Sequence, residues 1–188
     1  FMIQQSSPPN AAYPDFPPPY WGDFGTARGR SDIVMTLYPQ NVAMAYLDLY
    51  DVTQEQRYFE AAEKIAKTYA KTQLASGTWP IMVRPVSGRI FSNNPLIPIG
   101  VVGLFDRLDT QYGKKEFRGN AKKALDWIIA NPIRTFNWEG QFEDVHPGEP
   151  YKDLSRTFPT QTAVYLFKHA GENPQYAQWA LECLQFSE

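Results

Sequence analysis

Side chains able to move protons are most concentrated between residues 138 and 153. This stretch carries five carboxylates and one imidazole: Glu139, Glu143, Asp144, His146, Glu149 and Asp153. Glycosidases of both stereochemical types need two carboxyl groups about 5 to 9.5 Å apart, one protonated and one ionised. We therefore expect Glu139, Glu143 and Asp144 to be the catalytic candidates, with solvated loop carboxylates or helix caps as the alternative.

The two adjacent carboxylates of this group are not expected to act as a pair. Glu143 and Asp144 would point to opposite sides of an extended segment. One of them would instead act with a carboxylate from elsewhere, and the candidates are Glu139, Asp153, Asp23 and Asp32. His146 has two candidate roles, as a proton shuttle or as a hydrogen-bond donor to a sugar.

Two tryptophans are candidates for stacking on a sugar ring. Trp79 and Trp138 stand 59 residues apart, and each follows a helical pattern into a long loop. We expect both indoles to lie at the same rim of the helical domain. The alternative is that each indole packs over its own helical hairpin. Arg84, with Arg28 and Arg30, is a candidate for bidentate recognition of a uronate carboxylate.

The pattern of cysteines, histidines and glycines points to no cofactor. No group of cysteines and histidines has the spacing of a zinc site, and no glycine-rich loop has the pattern that cradles phosphates. We predict neither a metal nor a cofactor, with calcium held by loop carboxylates as the alternative. Cys183 is expected to be a small core residue, and His169 to interact with the dipole of a helix end.

A repeat of 59 residues organises the elements that position these side chains. Its members have the spacing of one face of a helix. The first set is Tyr58, Ala62, Ile65 and Tyr69, the second is Phe117, Ala121, Ala124 and Ile128, and the third is Tyr176, Ala180, Cys183 and Ser187. We predict three equivalent amphipathic outer helices.

Three more uniformly apolar segments, residues 42–49, 96–105 and 163–167, alternate with the outer helices. A helix that is apolar around most of its circumference is buried, so these segments predict inner helices. Each begins near a proline: Pro39, Pro98 or Pro159. The outer helices have their own start signals, a capping box at residues 53–56 and an N-cap at Asn173 before Pro174.

The connections differ in length between the two ends of the hairpins. Turns within a hairpin span a few residues, whereas the returns 72–94 and 131–158 each exceed twenty residues. Long loops on one face of a rigid scaffold are where sites are built, so we expect loops 72–94 and 131–153 to form the ligand site together. Residues 1–30 are expected to form an extended Pro- and aromatic-rich arm on a domain of residues 31–188, with a disordered tail as the alternative.

Composition limits the class of partner. The hydrophobic share of 43% and the charged share of 20% are typical of a globular domain. A formal net charge of -2 disfavours nucleic acid and anionic membranes, and no apolar run reaches the length of about 20 residues that spans a bilayer. The aromatic share of 15% exceeds what a helical core needs and suits a sugar-binding surface.

Alternating inner and outer helices, with long loops at the starts of the inner ones, resemble the (α/α) toroids of the six-hairpin glycosidase-like superfamily. The resemblance covers residues 35–186, and segments 76–80 and 137–144 are similar to the aromatic, polar loops of sugar-binding clefts in that superfamily. It implies an all-α fold of three consecutive hairpins, half of a toroid, and an oligo- or polysaccharide as the substrate. Because a full toroid has six hairpins, it also implies a homodimer or a missing half of the same chain.

The sequence therefore predicts a carbohydrate-active protein of the glycoside hydrolase or polysaccharide lyase type. A non-catalytic glycan-binding or scaffold domain is the alternative. A third reading, a helical-repeat module for protein interaction, is disfavoured by the aromatic loops. A periplasmic or secreted setting fits this substrate class, although the sequence does not fix the localisation.

Overall fold

The structure of this chain is a computed structural model that describes residues 6–17, 33–141 and 155–188. Within these ranges the chain is mostly helical, with a small antiparallel sheet, and none of the helices has both the length and the apolar content to cross a bilayer. The helices are α1 (Pro39–Thr53), α2 (Gln56–Thr72), α3 (Ile99–Tyr112), α4 (Arg118–Ile128), α5 (Thr157–Lys168) and α6 (Pro174–Ser187). The strands are β1 (Val34–Met35), β2 (Pro80–Val83) and β3 (Ile90–Pro95).

The helices pack as pairs in chain order, α1 with α2, α3 with α4 and α5 with α6. The odd-numbered helices also pack side by side, with α3 in contact with both α1 and α5. The repeat marks the starts of the even-numbered helices. Tyr58 and Tyr176 lie in the first turns of α2 and α6, and Phe117 ends the 3₁₀ turn Lys115–Phe117 that leads into α4.

Four of the five predicted start signals lie at helix starts, since Pro98 is the N-cap of α3 and Pro159 lies in the first turn of α5. Pro39 is the first residue of α1, and Asn173 is the N-cap of α6, where its Oδ1 accepts a hydrogen bond from Gln175 N at 2.9 Å. The predicted capping box at residues 53–56 is wrong. Thr53 is the last residue of α1, its hydroxyl donates to Leu49 O at 2.7 Å, and α2 begins without a side-chain cap.

The all-α prediction is wrong in the return that follows α2, because this loop forms most of the sheet. β2 pairs antiparallel with β1 on one side and with β3 on the other. The consecutive buried apolar residues of β2 favour an extended chain. The β2–β3 turn closes where Arg84 N donates to Arg89 O at 2.8 Å, and Gly88, with a φ of 73°, supplies its left-handed residue.

The described part of the N-terminal segment, residues 6–17, forms bends that pack on the rest of the chain. Tyr13 N donates to Pro85 O at 2.8 Å, which joins the segment to the β2–β3 turn. The fully buried ring of Phe16 lies 4.9 Å from the ring of Tyr69 in α2. The remainder of the expected arm, residues 1–5 and 18–30, lies outside the described residues.

One core cluster joins the helices, the sheet and the long returns. Its largest fully buried side chains include Trp79, Trp138, Tyr69, Phe16, Phe105 and Phe117. Phe105 of α3 stacks on Phe117 with ring centroids 5.1 Å apart. Cys183 is buried, as expected of a core residue, and burial raises the pKa of its thiol to about 12, so the thiol stays protonated.

Candidate functional site

A pocket of about 300 Å³ opens between the two long returns. Its walls come from the end of β3 and the turn into α3 on one side, and from α4 and the residues after it on the other. We call it the rim pocket and define it by its polar and aromatic lining: Asn94, Trp127, Asn131, Thr135, Asn137 and Glu139. The described parts of both predicted site loops thus line one pocket.

Gln141 joins the two returns beside the rim pocket. Its buried side chain accepts a hydrogen bond from Ile97 N at 2.8 Å and donates one to Pro95 O at 2.9 Å. Gly140, with a φ of 74°, lies so close to the facing return that a Cβ atom there would be 2.8 Å from Asn94 Nδ2. This position therefore requires a glycine, and the two returns are held in close contact.

An irregular helix end shapes the other wall. Pro132 has no N–H to donate, and the residues around it, Ile129–Ile133, form a π-helical turn. Asn131 Nδ2 donates to Trp127 O at 2.9 Å within this turn. Phe136 follows with a φ of 55°, a left-handed conformation that is rare for an aromatic residue. Single π-turns and strained backbone positions are frequent at functional sites.

The rim pocket combines an aromatic surface with hydrogen-bonding groups. Trp127, a partly buried aromatic residue, lines it together with Asn131 and Asn137, whose amides can both donate and accept. Asn94 Nδ2 is buried and has no hydrogen-bond partner among the described residues. A buried donor without a partner is unfavourable, so this atom favours a bound acceptor in the pocket.

Glu139 is the one charged side chain among the described residues that line the rim pocket. It is partly exposed, and its backbone is fixed on both sides. Glu139 N donates to Asn137 Oδ1 at 3.1 Å, and Glu139 O accepts from Gln141 Nε2 at 3.1 Å. A single carboxylate without a facing cation disfavours an anionic ligand at this position.

The two predicted stacking residues are equivalent in the structure, but both are buried. The carbonyl of Trp79 accepts a hydrogen bond from Leu96 N at 2.7 Å, and that of Trp138 accepts one from Ser155 N at 3.1 Å. The two donors, Leu96 and Ser155, are also 59 residues apart. Trp79 is fully buried and donates its indole N–H to Tyr69 O at 3.1 Å, and Trp138 is 1% exposed. A buried indole presents no face to a ligand, so the burial fits the alternative, in which each packs in its own hairpin.

One of the other predicted site residues, Arg84, belongs to the described part of the chain, and it does not line the rim pocket. It is partly buried in the turn after β2. Glu143, Asp144 and His146 lie outside the described residues. Glu139 is therefore the predicted site residue that the structure places in the pocket.

Trp127, Asn94 and Asn131 were not foreseen as site residues. Trp127 lies in α4 next to Ile128 of the repeat, and a tryptophan within a helix is usually a core residue. The available signal was local. A tryptophan one turn before Asn131 and Pro132 marks an aromatic residue at a helix end that opens into a long loop.

Comparison of the chain with models of known protein families, with curated proteins and with solved structures found no match. Its function is therefore inferred from the rim pocket and from the arrangement of the helices.

Proposed function

We propose that this chain binds an oligo- or polysaccharide at the rim pocket. The observation that carries the proposal is the lining of the pocket, in which Trp127, a partly exposed residue, lies beside residues with amide, hydroxyl and carboxylate side chains. Sugar rings have apolar faces that stack on indoles and hydroxyl groups that pair with amides and carboxylates. Because Glu139 is the charged group of this lining, a neutral glycan fits better than a uronate.

We also propose that the domain is half of an (α/α) toroid. The order of the helices supports this, since α1, α3 and α5 pack side by side and each packs on the helix that follows it. In a closed ring of six hairpins the odd-numbered helices would form the inner circle. A second half, from another copy or from the same chain, would complete that circle.

Cleavage of the bound glycan is a second candidate function, and the position of Glu139 in the rim pocket favours it. A hydrolase needs a second carboxyl group about 5 to 9.5 Å from the first, and Glu143 or Asp144 would supply it. If Glu139 transfers a proton, Glu139→Gln should slow turnover by about 100-fold or more with little change in binding. Binding alone needs no such pair, so we place recognition first.

A glycan array, followed by calorimetry on the ligand that binds best, tests the proposal. An aromatic contact is worth about 1 kcal/mol, so Trp127→Ala should weaken binding by about fivefold or more. Trp179→Ala is the matched control, because Trp179 is a partly buried tryptophan of α6 that does not line the rim pocket. Equal losses in the two variants, or a native protein that binds no glycan, would reject the proposal.

A further inference from the structure

A second concavity, of about 620 Å³, lies over α3 between α1 and α5. We call it the inner groove and define it by Gln40, Gly103, Asp106, Gln161, Tyr165 and His169. None of the described residues that line the rim pocket also lines the inner groove. The two concavities are therefore separate candidates for ligand binding.

The floor of the inner groove contains a glycine that the described fold does not require. Glycine is unfavourable in a helix interior compared with alanine. At Gly100 it is explained by packing, because a Cβ atom there would be 2.3 Å from Gln40 Nε2. At Gly103 a Cβ atom would meet no described atom within 4 Å, and the backbone is not left-handed. Gly103 therefore leaves the backbone of α3 open to the groove.

The walls of the inner groove carry acceptor atoms. Gln40 is 5% exposed, and its Oε1 has no hydrogen-bond partner among the described residues. His169 Nδ1 lies 2.7 Å from Glu172 Oε1, which favours a proton on Nδ1 and leaves Nε2 as an acceptor in the neutral ring. The imidazole also stacks on the ring of Tyr165, with the ring centroids 4.2 Å apart.

A carboxyl group stands beside this imidazole. Asp106 Oδ2 lies 3.7 Å from His169 Nε2, and burial raises the pKa of the Asp106 carboxyl. Gln40 Oε1, Asp106 Oδ2 and His169 Nε2 are thus hydrogen-bond acceptors of the inner groove. They come from α1, from α3 and from the end of α5.

The charges of the inner groove nearly cancel. Arg107 lines it, but its guanidinium donates to Asp48 at 2.6 Å and to Asp51 at 2.8 Å. Lys168 and Asp106, which also line it, carry opposite charges. The groove therefore favours a neutral ligand rich in hydrogen-bond donors, and polyhydroxylated molecules have this chemistry.

We propose that the inner groove is a second carbohydrate site, in which sugar hydroxyls donate to Gln40 Oε1, Asp106 and His169 Nε2 and the ring lies over Gly103. The inference rests on the proposed function in taking the ligand to be a glycan. It differs from that function in its location. In the inner groove the odd-numbered helices bind the sugar, whereas in the rim pocket the long returns bind it.

The test uses a protein in which the rim pocket is already weakened. Calorimetry on Trp127→Ala is run with neutral di- and tetrasaccharides of the gluco, manno, xylo and chito series. Gly103→Gln is then added to fill the floor of the groove. Gly119→Gln is the matched control, because Gly119 is an exposed helical glycine of α4 whose Cβ would also meet no described atom within 4 Å. The melting temperatures of the two double variants show that both are folded.

We expect residual binding in Trp127→Ala that falls by at least tenfold with Gly103→Gln and is unchanged with Gly119→Gln. If Trp127→Ala abolishes all binding, the inner groove is not a site, while the proposed function at the rim pocket stands. Residual binding that Gly103→Gln leaves intact also overturns the inference. If the native protein binds no sugar of the panel, both proposals fail.

Discussion

Tyr69 connects the sheet, the helices and the N-terminal segment through one side chain. Its hydroxyl donates to Thr36 O and accepts from Gln40 N at 3.2 Å. Its ring lies 4.9 Å from that of Phe16 and 5.5 Å from that of Trp79. Burial raises the pKa of this phenol well above its usual value, so the hydroxyl keeps the proton that it donates.

Tyr69→Phe should lower the free energy of unfolding by about 1–3 kcal/mol, because Thr36 O and Gln40 N lose a buried partner. Urea denaturation measures the change. Tyr50→Phe is the control, since the side chain of Tyr50 makes ring contacts with Phe59 and Tyr112, and it should change stability by less than about 0.5 kcal/mol. Similar losses in the two variants would contradict the role given to the Tyr69 hydroxyl.

At the residue scale, the sequence predicted the kinds of group in the site better than their exposure. Glu139 was expected at a ligand site and lines the rim pocket. Trp79 and Trp138 were placed at equivalent positions by the repeat, but an indole tolerates both burial and exposure, so residue type did not reveal that they are core. Trp127 was missed because a helical pattern does not show where a helix end borders a pocket.

At the element scale, the outer helices were predictable because the signal is local. The spacing of apolar residues within each repeat is the spacing of one helix face, and Asn173 and Pro174 mark the start of α6. The sheet was not predictable in the same way. β2 has four residues, and it pairs with β1 through Val34 and Val83, which are far apart in sequence, so no short window contains the pattern.

Asn173→Ala should lower the free energy of unfolding by about 1 kcal/mol, because Gln175 N at the start of α6 loses its acceptor. Asn173→Asp keeps an acceptor oxygen at the same position and should retain most of the stability. Thermal unfolding followed by circular dichroism compares the three proteins. An aspartate variant as unstable as the alanine variant would show that the cap contributes little.

At the scale of the whole molecule, exposed apolar side chains lie on the first and last of the three odd-numbered helices. Leu49 and Val52 of α1 are 42% and 85% exposed, and Phe167 of α5 is 41% exposed; none of the three lines the inner groove. α3 lies between these helices and has none of the large exposed apolar side chains. Such flanks would be covered if a second half completed a ring.

We therefore expect the protein to self-associate, and Phe167→Ser to weaken that association. Sedimentation equilibrium gives the dissociation constant for each protein. Val86→Ser is the matched control, because Val86 is 64% exposed in the β2–β3 turn, outside the flanks. A native protein that stays monomeric at high concentration would contradict the proposed second copy.

Indole N–H signals in a proton–nitrogen correlation spectrum test glycan binding at the rim pocket most directly. The chain has 5 tryptophans, and point variants assign their signals. On titration with the glycan that binds best, the Trp127 signal should shift, together with the side-chain amides of Asn94, Asn131 and Asn137. The buried indoles of Trp79 and Trp138 should shift little. A titration that shifts those two signals and leaves Trp127 unchanged, or one that shifts no signal, would contradict binding at this pocket.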